Sequence, residues 1–216
     1  FGLRIEHEKN TVDLKDLIND FSIPNLQVTT VLRDEETEKR KVEFMRRTNL
    51  SPKYIELLDI AYDGQRNRDF EIITAELFRK VYGLNSKLLG GARKPDGLVF
   101  TDKFGIIIDT KAYGEGYPMS ISQADEMIRY IEDNQKRDIN RNPNEWWLNF
   151  DNNIRQDQFY FLWISSKFVG RFQEQLDYTA NQTNTKGGGL NVEQLLLGAD
   201  AVSKGNLDPN DLPKYM

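Results

Sequence analysis

"RKPDGLVFTDKFGIIIDTKAY", residues 93–113, contains two β-rich runs, GLVFT at 97–101 and GIIIDT at 105–110, joined through Asp102-Lys103-Phe104. Three isoleucines in succession, Ile106, Ile107 and Ile108, predict a strand covered on both faces, an α/β trait. In a symmetric antiparallel hairpin Thr101 faces Phe104, and by the same symmetry Asp96 faces Asp109 on one face of the sheet. Facing β-carbons sit about 4.5–5.5 Å apart, so the two carboxylates repel unless one is protonated or a cation lies between them. Strand alternation sends Lys111 to the face of Asp109, and Thr110 to the other face with its backbone carbonyl near the acids. Two acids, a carbonyl oxygen and an ammonium suit phosphodiester hydrolysis assisted by an Mg²⁺-type ion, with Lys111 positioning water or neutralising developing charge. A structural reading competes, because Pro-Asp-Gly favours turns and Lys111 could neutralise both acids in an ion triad. The basic, glycine-rich approach Gly90-Gly91-Ala92-Arg93-Lys94 could bring backbone amides, Arg93 and Lys94 to a phosphate, or could be a plain turn.

The elements on either side imply a sheet flanked by helices. Before the hairpin, "VDLKDLIND" (12–20) has a helical apolar face, and "FSIPNLQVTTVL" (21–32) is expected to run extended through Pro24. Residues 33–47 form a charge-rich helix anchored by Val42, Phe44 and Met45. Ser51-Pro52 starts a helix that Asp63-Gly64 stops, and the next runs from Asp69 to Gly83 with Phe70, Ile73, Leu77 and Val81 as its stripe. After the hairpin a helix is predicted at 122–137, a short one at Pro143-Asn-Glu-Trp-Trp, and a strand at 159–165 (FYFLWIS). A helix at 170–180, a turn at 187–189 and a helix at 192–203 complete the pattern. Trp146, Trp147 and Trp163 read as core aromatics.

The 216 residues suffice for one main domain with a flank, and no apolar run approaches the roughly 18–20 residues that span a bilayer, so no membrane association is expected. The chain opens at Phe1, without an initiator Met or a basic-then-apolar leader, and is expected to be a piece of something longer. With no cysteine and a single histidine, His7, the sequence excludes disulfides, thiolate nucleophiles and cysteine metal sites, and argues against zinc centres and Ser-His triads. A net charge of −5 argues against strong unaided binding to nucleic acid, because such binding rests on lysines and arginines displacing phosphate counterions.

Pro95, Asp96 and Asp109-Thr110-Lys111 fit the Pro-Asp…Asp/Glu-x-Lys nuclease pattern. Around them stand, in order, "KLLGGARKPDG" (87–97), "IIDTKAYGEGY" (107–117), "QADEMIRYIEDNQKR" (123–137), "NPNEWW" (142–147) and "LNVEQLLLGA" (190–199). Together these blocks resemble the cleavage domain of FokI-type, type IIS restriction endonucleases of the PD-(D/E)xK superfamily, over residues 34–216. "IPNLQVTT" (23–30) is similar to the linker leaving such an enzyme's recognition part, so residues 1–33 are expected to be linker.

The resemblance implies a three-layer α/β/α restriction-endonuclease-like fold with a central mixed β-sheet flanked by helices. It also implies Mg²⁺-dependent cutting of double-stranded DNA, with Mn²⁺ substituting, in the bacterial cytoplasm. The recognition domain or subunit would lie elsewhere, which accounts for the acidic charge. Asp96 and Asp109 would be metal ligands, Lys111 the third catalytic residue, and Glu71 the superfamily's accessory acid. Family cleavage domains act as transient dimers through the helix matching 122–137, where Asp125 and Arg129 would pair across the interface; the same two residues could instead form an ordinary intrahelical pair. Arg141 and Asn181-Gln182 stand where the family carries apolar residues, which points to a partner subunit or to strand nicking. A non-catalytic assembly module that kept the fold is the remaining alternative.

Overall fold

The computed structural model describes the backbone of residues 28–216 and side chains from residue 35 onward. The reading of 12–20 as a helix, and His7, lie outside the described residues. The chain divides into two compact units, residues 1–38 and 39–216. Of the first, the described part is helical, belonging to α1, Val28–Arg47, so the extended run expected through residue 32 already gives way to helix at Val28. The remaining elements belong to the second unit.

The chain enters the second unit along the C-terminal half of α1, where the expected anchors are partly replaced. Val42 and Met45 are exposed, whereas Phe44 packs on the core and Lys41 is buried with its ammonium 3.0 Å from Glu56. A long lysine stem can cover apolar surface while its head finds a charge. The helix predicted after Ser51-Pro52 is split into α2, Pro52–Ile55, and α3, Leu57–Ile60. The next, α4, spans Asn67–Lys80 and buries Phe70, Thr74, Leu77 and Phe78.

Five strands form one mixed sheet in the order β1 (Asn85–Leu88), β2 (Gly97–Phe100), β3 (Gly105–Lys111), β4 (Phe159–Ser165), β5 (Gly187–Asn191). The pairs β1–β2 and β2–β3 are antiparallel, and β3–β4 and β4–β5 are parallel. Helices α5 (Ile121–Lys136), α6 (Phe172–Thr183) and α7 (Val192–Ser203) complete the layers. Alternation along β3 decides which layer each isoleucine meets. Ile106 and Ile108 join the core that holds Phe70, Leu77 and Leu195, from α4 and α7. Ile107 joins the opposite core, with Met127 and Ile131 of α5 and the buried Trp146, Trp147 and Trp163. The architecture is α/β/α. Among the described residues no helix is long and apolar enough to cross a membrane.

Two strands escaped the sequence reading. β1, "NSKL", is a polar strand of alternating exposure at the sheet edge, where no apolar signal is needed. Residues 187–189, predicted as a turn, are the start of β5. Glycine is required there by close approach: a Cβ at Gly187 would stand 2.3 Å from the Phe161 ring, and one at Gly189 would stand 2.6 Å from the Phe172 ring. Gly187→Ala is therefore expected to destabilise the fold by about 1–3 kcal/mol or more through overpacking. Gly188→Ala, whose nearest neighbour would be the Met216 sulfur at 3.6 Å, should leave the urea midpoint nearly unchanged.

Candidate active site

The hairpin register is the one that symmetry predicts: Gly97 faces Ile108 and Phe100 faces Gly105. Gly97 and Ile108 are the last paired residues, so Asp96 and Asp109 stand one step beyond, where the strands part. A continued ladder would bond the Thr110 N–H to the carbonyl of Pro95, but that carbonyl accepts from the Gly90 N–H at 3.2 Å. The Asp96 side chain takes its place. Its Oδ2 accepts from the Thr110 N–H at 2.7 Å and from the Thr110 hydroxyl at 3.0 Å, and its Oδ1 has no hydrogen-bond partner among the described residues. The two acids stand opposite one another beyond the end of the ladder, near enough for the charge of Asp96 to bear on Asp109. Asp96 turns into the seam between the strands, because an orphaned buried N–H there would cost more than the turn.

Asp109 is buried at 6% exposure, and the Lys111 ammonium lies 2.9 Å from each of its carboxylate oxygens. No bond joins Lys111 to Asp96, so the closed ion triad does not form. Burial pushes the Asp109 carboxyl up to about 7; Lys111 opposes the shift, and the charge of Asp96 adds to it. For Lys111 burial works downward, but Asp109 and Asp96 outweigh it and raise the ammonium's pKa. Glu126 on α5, which accepts from the Tyr130 hydroxyl at 2.9 Å, adds negative charge felt by both Asp109 and Lys111. Burial, and then the charge of Asp109, holds the wholly buried Tyr117 hydroxyl protonated.

Glu71 of α4 reaches the site from the other side of the sheet, sharing a small cleft with Thr74, Asp96 and Thr110. Only 16% of its side chain is exposed, and Arg68 pairs with it at 2.5 Å. Burial and the charge of Asp96 raise its pKa against Arg68. Lys94 is half-buried and has no polar partner among the described residues, but the Arg93 guanidinium donates to the Arg141 carbonyl.

On α5, Asp125 and Arg129 do not form the intrahelical pair. Asp125 accepts from the Tyr178 hydroxyl of α6 at 3.5 Å, and Arg129 is exposed without an ion pair among the described residues. Arg141 is turned inward onto Asp133 at 2.6 Å and onto Glu132, while Asn181 and Gln182 are exposed. Sequence reading missed Glu126, Asn67 and Asn142. Asn67 accepts from the Ala112 N–H at 3.2 Å and ties α4 to the strand end beyond Lys111. The contacts that tie Asn67 to Ala112 and Asn142 to Arg93 cross more than forty residues, and Glu126 meets the charges of Asp109 and Lys111 only when α5 packs beside β3, so no local motif marks any of the three.

The donors fit a hard divalent cation. Asp96 Oδ1 is uncommitted, Asp109 is a buried acid whose charged form lacks enough compensation, and the Thr110 C=O leaves the strand on the same edge as its N–H. No group of three or more His, Cys, Asp or Glu side chains stands together as a metal cage among the described residues. Two carboxylates with a carbonyl is the sparse set that Mg²⁺ accepts when water and phosphate complete its shell.

Comparison with known proteins adds a family. Residues 34–216 match the model described as "FokI, cleavage domain". The chain is 42% identical over 211 residues to the type II restriction enzyme FokI of Planomicrobium okeanokoites, covering 95% of this chain and 36% of that enzyme. It is 34% identical over 218 residues to the type II restriction enzyme StsI of Streptococcus sanguinis, covering 99% of this chain and 36% of that one. Among solved structures, restriction endonuclease FokI bound to DNA aligns with a TM-score of 0.79 at 40% identity, over 83% of this chain and 32% of that one. The chain thus spans a little over a third of the length of the curated relatives it matches.

Proposed function

The chain belongs to the FokI cleavage-domain family, and from that membership we propose that it is the DNA-cutting module of a type IIS restriction endonuclease. Residues 34–216 are the nuclease part, residues 1–33 lead from a recognition domain or subunit, and the setting is the bacterial cytoplasm. The substrate is double-stranded DNA, hydrolysed to 5′-phosphate and 3′-hydroxyl ends.

Asp96, Asp109 and the Thr110 carbonyl hold Mg²⁺ or Mn²⁺, with Glu71 as an accessory acid. When bound, the cation supplies the Lewis acidity that polarises a phosphoryl oxygen. The chain's own work is positioning and charge. Lys111, held by Asp109 at 2.9 Å, orients the attacking water and neutralises the charge that grows on the phosphoryl oxygens. Lys94 and Arg93 steer the phosphate backbone, Arg93 after releasing the Arg141 carbonyl. The single observation that carries this reading is the buried Asp109, one strand step beyond the last hairpin pair and ion-paired with the partly buried Lys111, beside Asp96 with an uncommitted oxygen.

The test is cleavage of supercoiled plasmid in Mg²⁺ by the domain fused to a DNA-binding partner. Linear product is expected, rising steeply with protein concentration if two cleavage domains meet through Asp125 and Arg129. No cutting in Mg²⁺ or Mn²⁺ at any concentration would instead indicate a non-catalytic assembly module.

A second reading, a nicking module or one half of a heterodimer, is favoured by two observations. Asn181 and Gln182 present polar side chains to solvent, and Arg141 is committed within its own chain. Nicked circles that never become linear, at a rate proportional to protein concentration, would select it.

A further inference from the structure

The turn that delivers Asp96 is not self-supporting. Between β1 and β2 it takes three left-handed residues, Gly90 (φ 70), Gly91 (φ 90) and Arg93 (φ 61), and only the last carries a side chain. A left-handed arginine is uncommon and persists only where its surroundings over-determine it. The neck of the turn is closed by its own backbone, with Leu89 N–H donating to the Asp96 carbonyl at 2.8 Å and Gly90 N–H to that of Pro95 at 3.2 Å. Its tip is held from outside. Asn142 Nδ2 donates to the Arg93 carbonyl at 2.8 Å, and Asn144 Nδ2 approaches the Ala92 carbonyl at 3.4 Å.

Asn142 is wholly buried and fully satisfied. Its Nδ2 also donates to Asp133 Oδ2 at 2.8 Å, and its Oδ1 accepts from the Asn144 N–H at 3.1 Å. The amide cannot flip, since the reversed orientation would set its oxygen against both a carboxylate and a carbonyl. Asp133 is in turn fixed by Arg141 Nε at 2.6 Å, so the tip is pinned to the last turn of α5. From Arg93 the chain needs only Lys94 and the buried, φ-locked Pro95 to reach Asp96. A shift at Arg93 therefore carries over into the Asp96 carboxylate, whose Oδ2 must meet the Thr110 N–H.

We propose that Asn142 is a positioning residue of the cleavage site: by pinning the left-handed turn at Arg93 to the end of α5, it sets the Asp96 carboxylate against the end of β3. The proposal rests on the nuclease reading for its consequence in catalysis, but its structural part stands apart from it. Asn142 touches neither Asp96 nor any reacting atom and acts only through the turn.

The test compares Asn142→Ala and Asn142→Ser, the latter keeping a hydroxyl beside Asp133 that is too short to reach Arg93. Two readouts are taken: residue-resolved amide exchange, and the Mg²⁺ dependence of plasmid cleavage. The Thr110 amide reports directly, because its acceptor is the Asp96 side chain. Exchange at Leu89, Gly90 and Thr110 is expected to quicken at least tenfold in both variants, with β4 protected as in the wild type. Half-maximal cleavage should need about tenfold more Mg²⁺. Adding Arg93→Gly to Asn142→Ala should recover part of the Thr110 protection, since glycine adopts the left-handed conformation without strain.

Wild-type exchange at Thr110 in a folded variant would overturn the proposal, and so would unchanged Mg²⁺ dependence where the wild type cleaves. Global unfolding of both variants would also overturn it, by making Asn142 a purely structural residue. A wild type that cuts no DNA defeats the nuclease reading instead, and leaves the exchange comparison to decide the structural part.

Discussion

Asp109→Asn is expected to lower DNA cleavage at least about 10³-fold while leaving the metal-free protein more stable than the wild type at pH 8. The activity loss follows if Asp109 is the cation ligand proposed above, since a bound cation's stabilisation of phosphoryl charge amounts to several kcal/mol, each 1.36 kcal/mol being about tenfold in rate. The stability gain follows from burial. The Asp109 carboxyl is pushed from its ordinary 3.8 up to about 7 in the folded chain. Between those values the folded state keeps a proton that the unfolded state has released. Stability therefore falls as pH rises through that window and stays reduced above it.

Asparagine has no such penalty, so its advantage should be on the order of 1–3 kcal/mol at pH 8 and should vanish near pH 4. The gain is smaller than the full shift implies because Lys111 loses its counter-charge. Chemical denaturation in EDTA across pH checks the sign. Addition of Mg²⁺ should then raise the wild-type melting temperature but not that of the variant. A variant that is less stable at pH 8 than at pH 4, relative to wild type, would contradict the assignment of a strained buried acid.

Lys111→Met should lose on the order of 10²–10³-fold in cleavage with the opposite effect on stability. Removing the ammonium leaves Asp109 buried without its ion-pair partner Lys111, a change that costs about 3–5 kcal/mol when both groups are fully buried. Here the cost is smaller, about 1–3 kcal/mol, because Lys111 is 20% exposed and Asp109 can escape by protonating. The deficit should be largest at pH 8 and slight at pH 5, where Asp109 is neutral in the variant. Divalent cation should restore the melting temperature, because it replaces the missing positive charge, yet not the cleavage. Recovery of both by Mg²⁺ would mean that Lys111 serves only to neutralise Asp109. The two substitutions thus separate the proposed ligand from the proposed charge-stabilising ammonium by the signs of their stability changes.

The hairpin was legible because both of its determinants are local. A hairpin symmetric about the two residues Asp102-Lys103 sets one register, with Thr101 facing Phe104, and period-2 alternation assigns faces once register is known. The helix read at 122–137 lies at 121–136, where Ser120 and Gln123 form a reciprocal capping box that the sequence reading did not use. β5 was not legible. "GGGLN" has the composition of a turn, and only the rings of Phe161 and Phe172 lying over it explain why a strand there must be glycine. The polar edge strand β1 was missed because pairing with β2 supplies its order, and its composition does not.

By itself the sequence determined the α/β class, the hairpin register, and the gathering of Asp96, Asp109 and Lys111 at one place, since each follows from neighbours within about twenty residues. Only the tertiary structure decided what those groups do to one another. Asp96 turns into the seam because the Pro95 carbonyl is taken by Gly90. Burial and the charge of Asp96 raise the Asp109 carboxyl's pKa against the pull of Lys111. Asn142, 49 residues from Arg93, fixes the turn that sets the first acid. Long-range hydrogen bonds and the charges that packing brings together have no period along the chain, so they become visible only when the layers close.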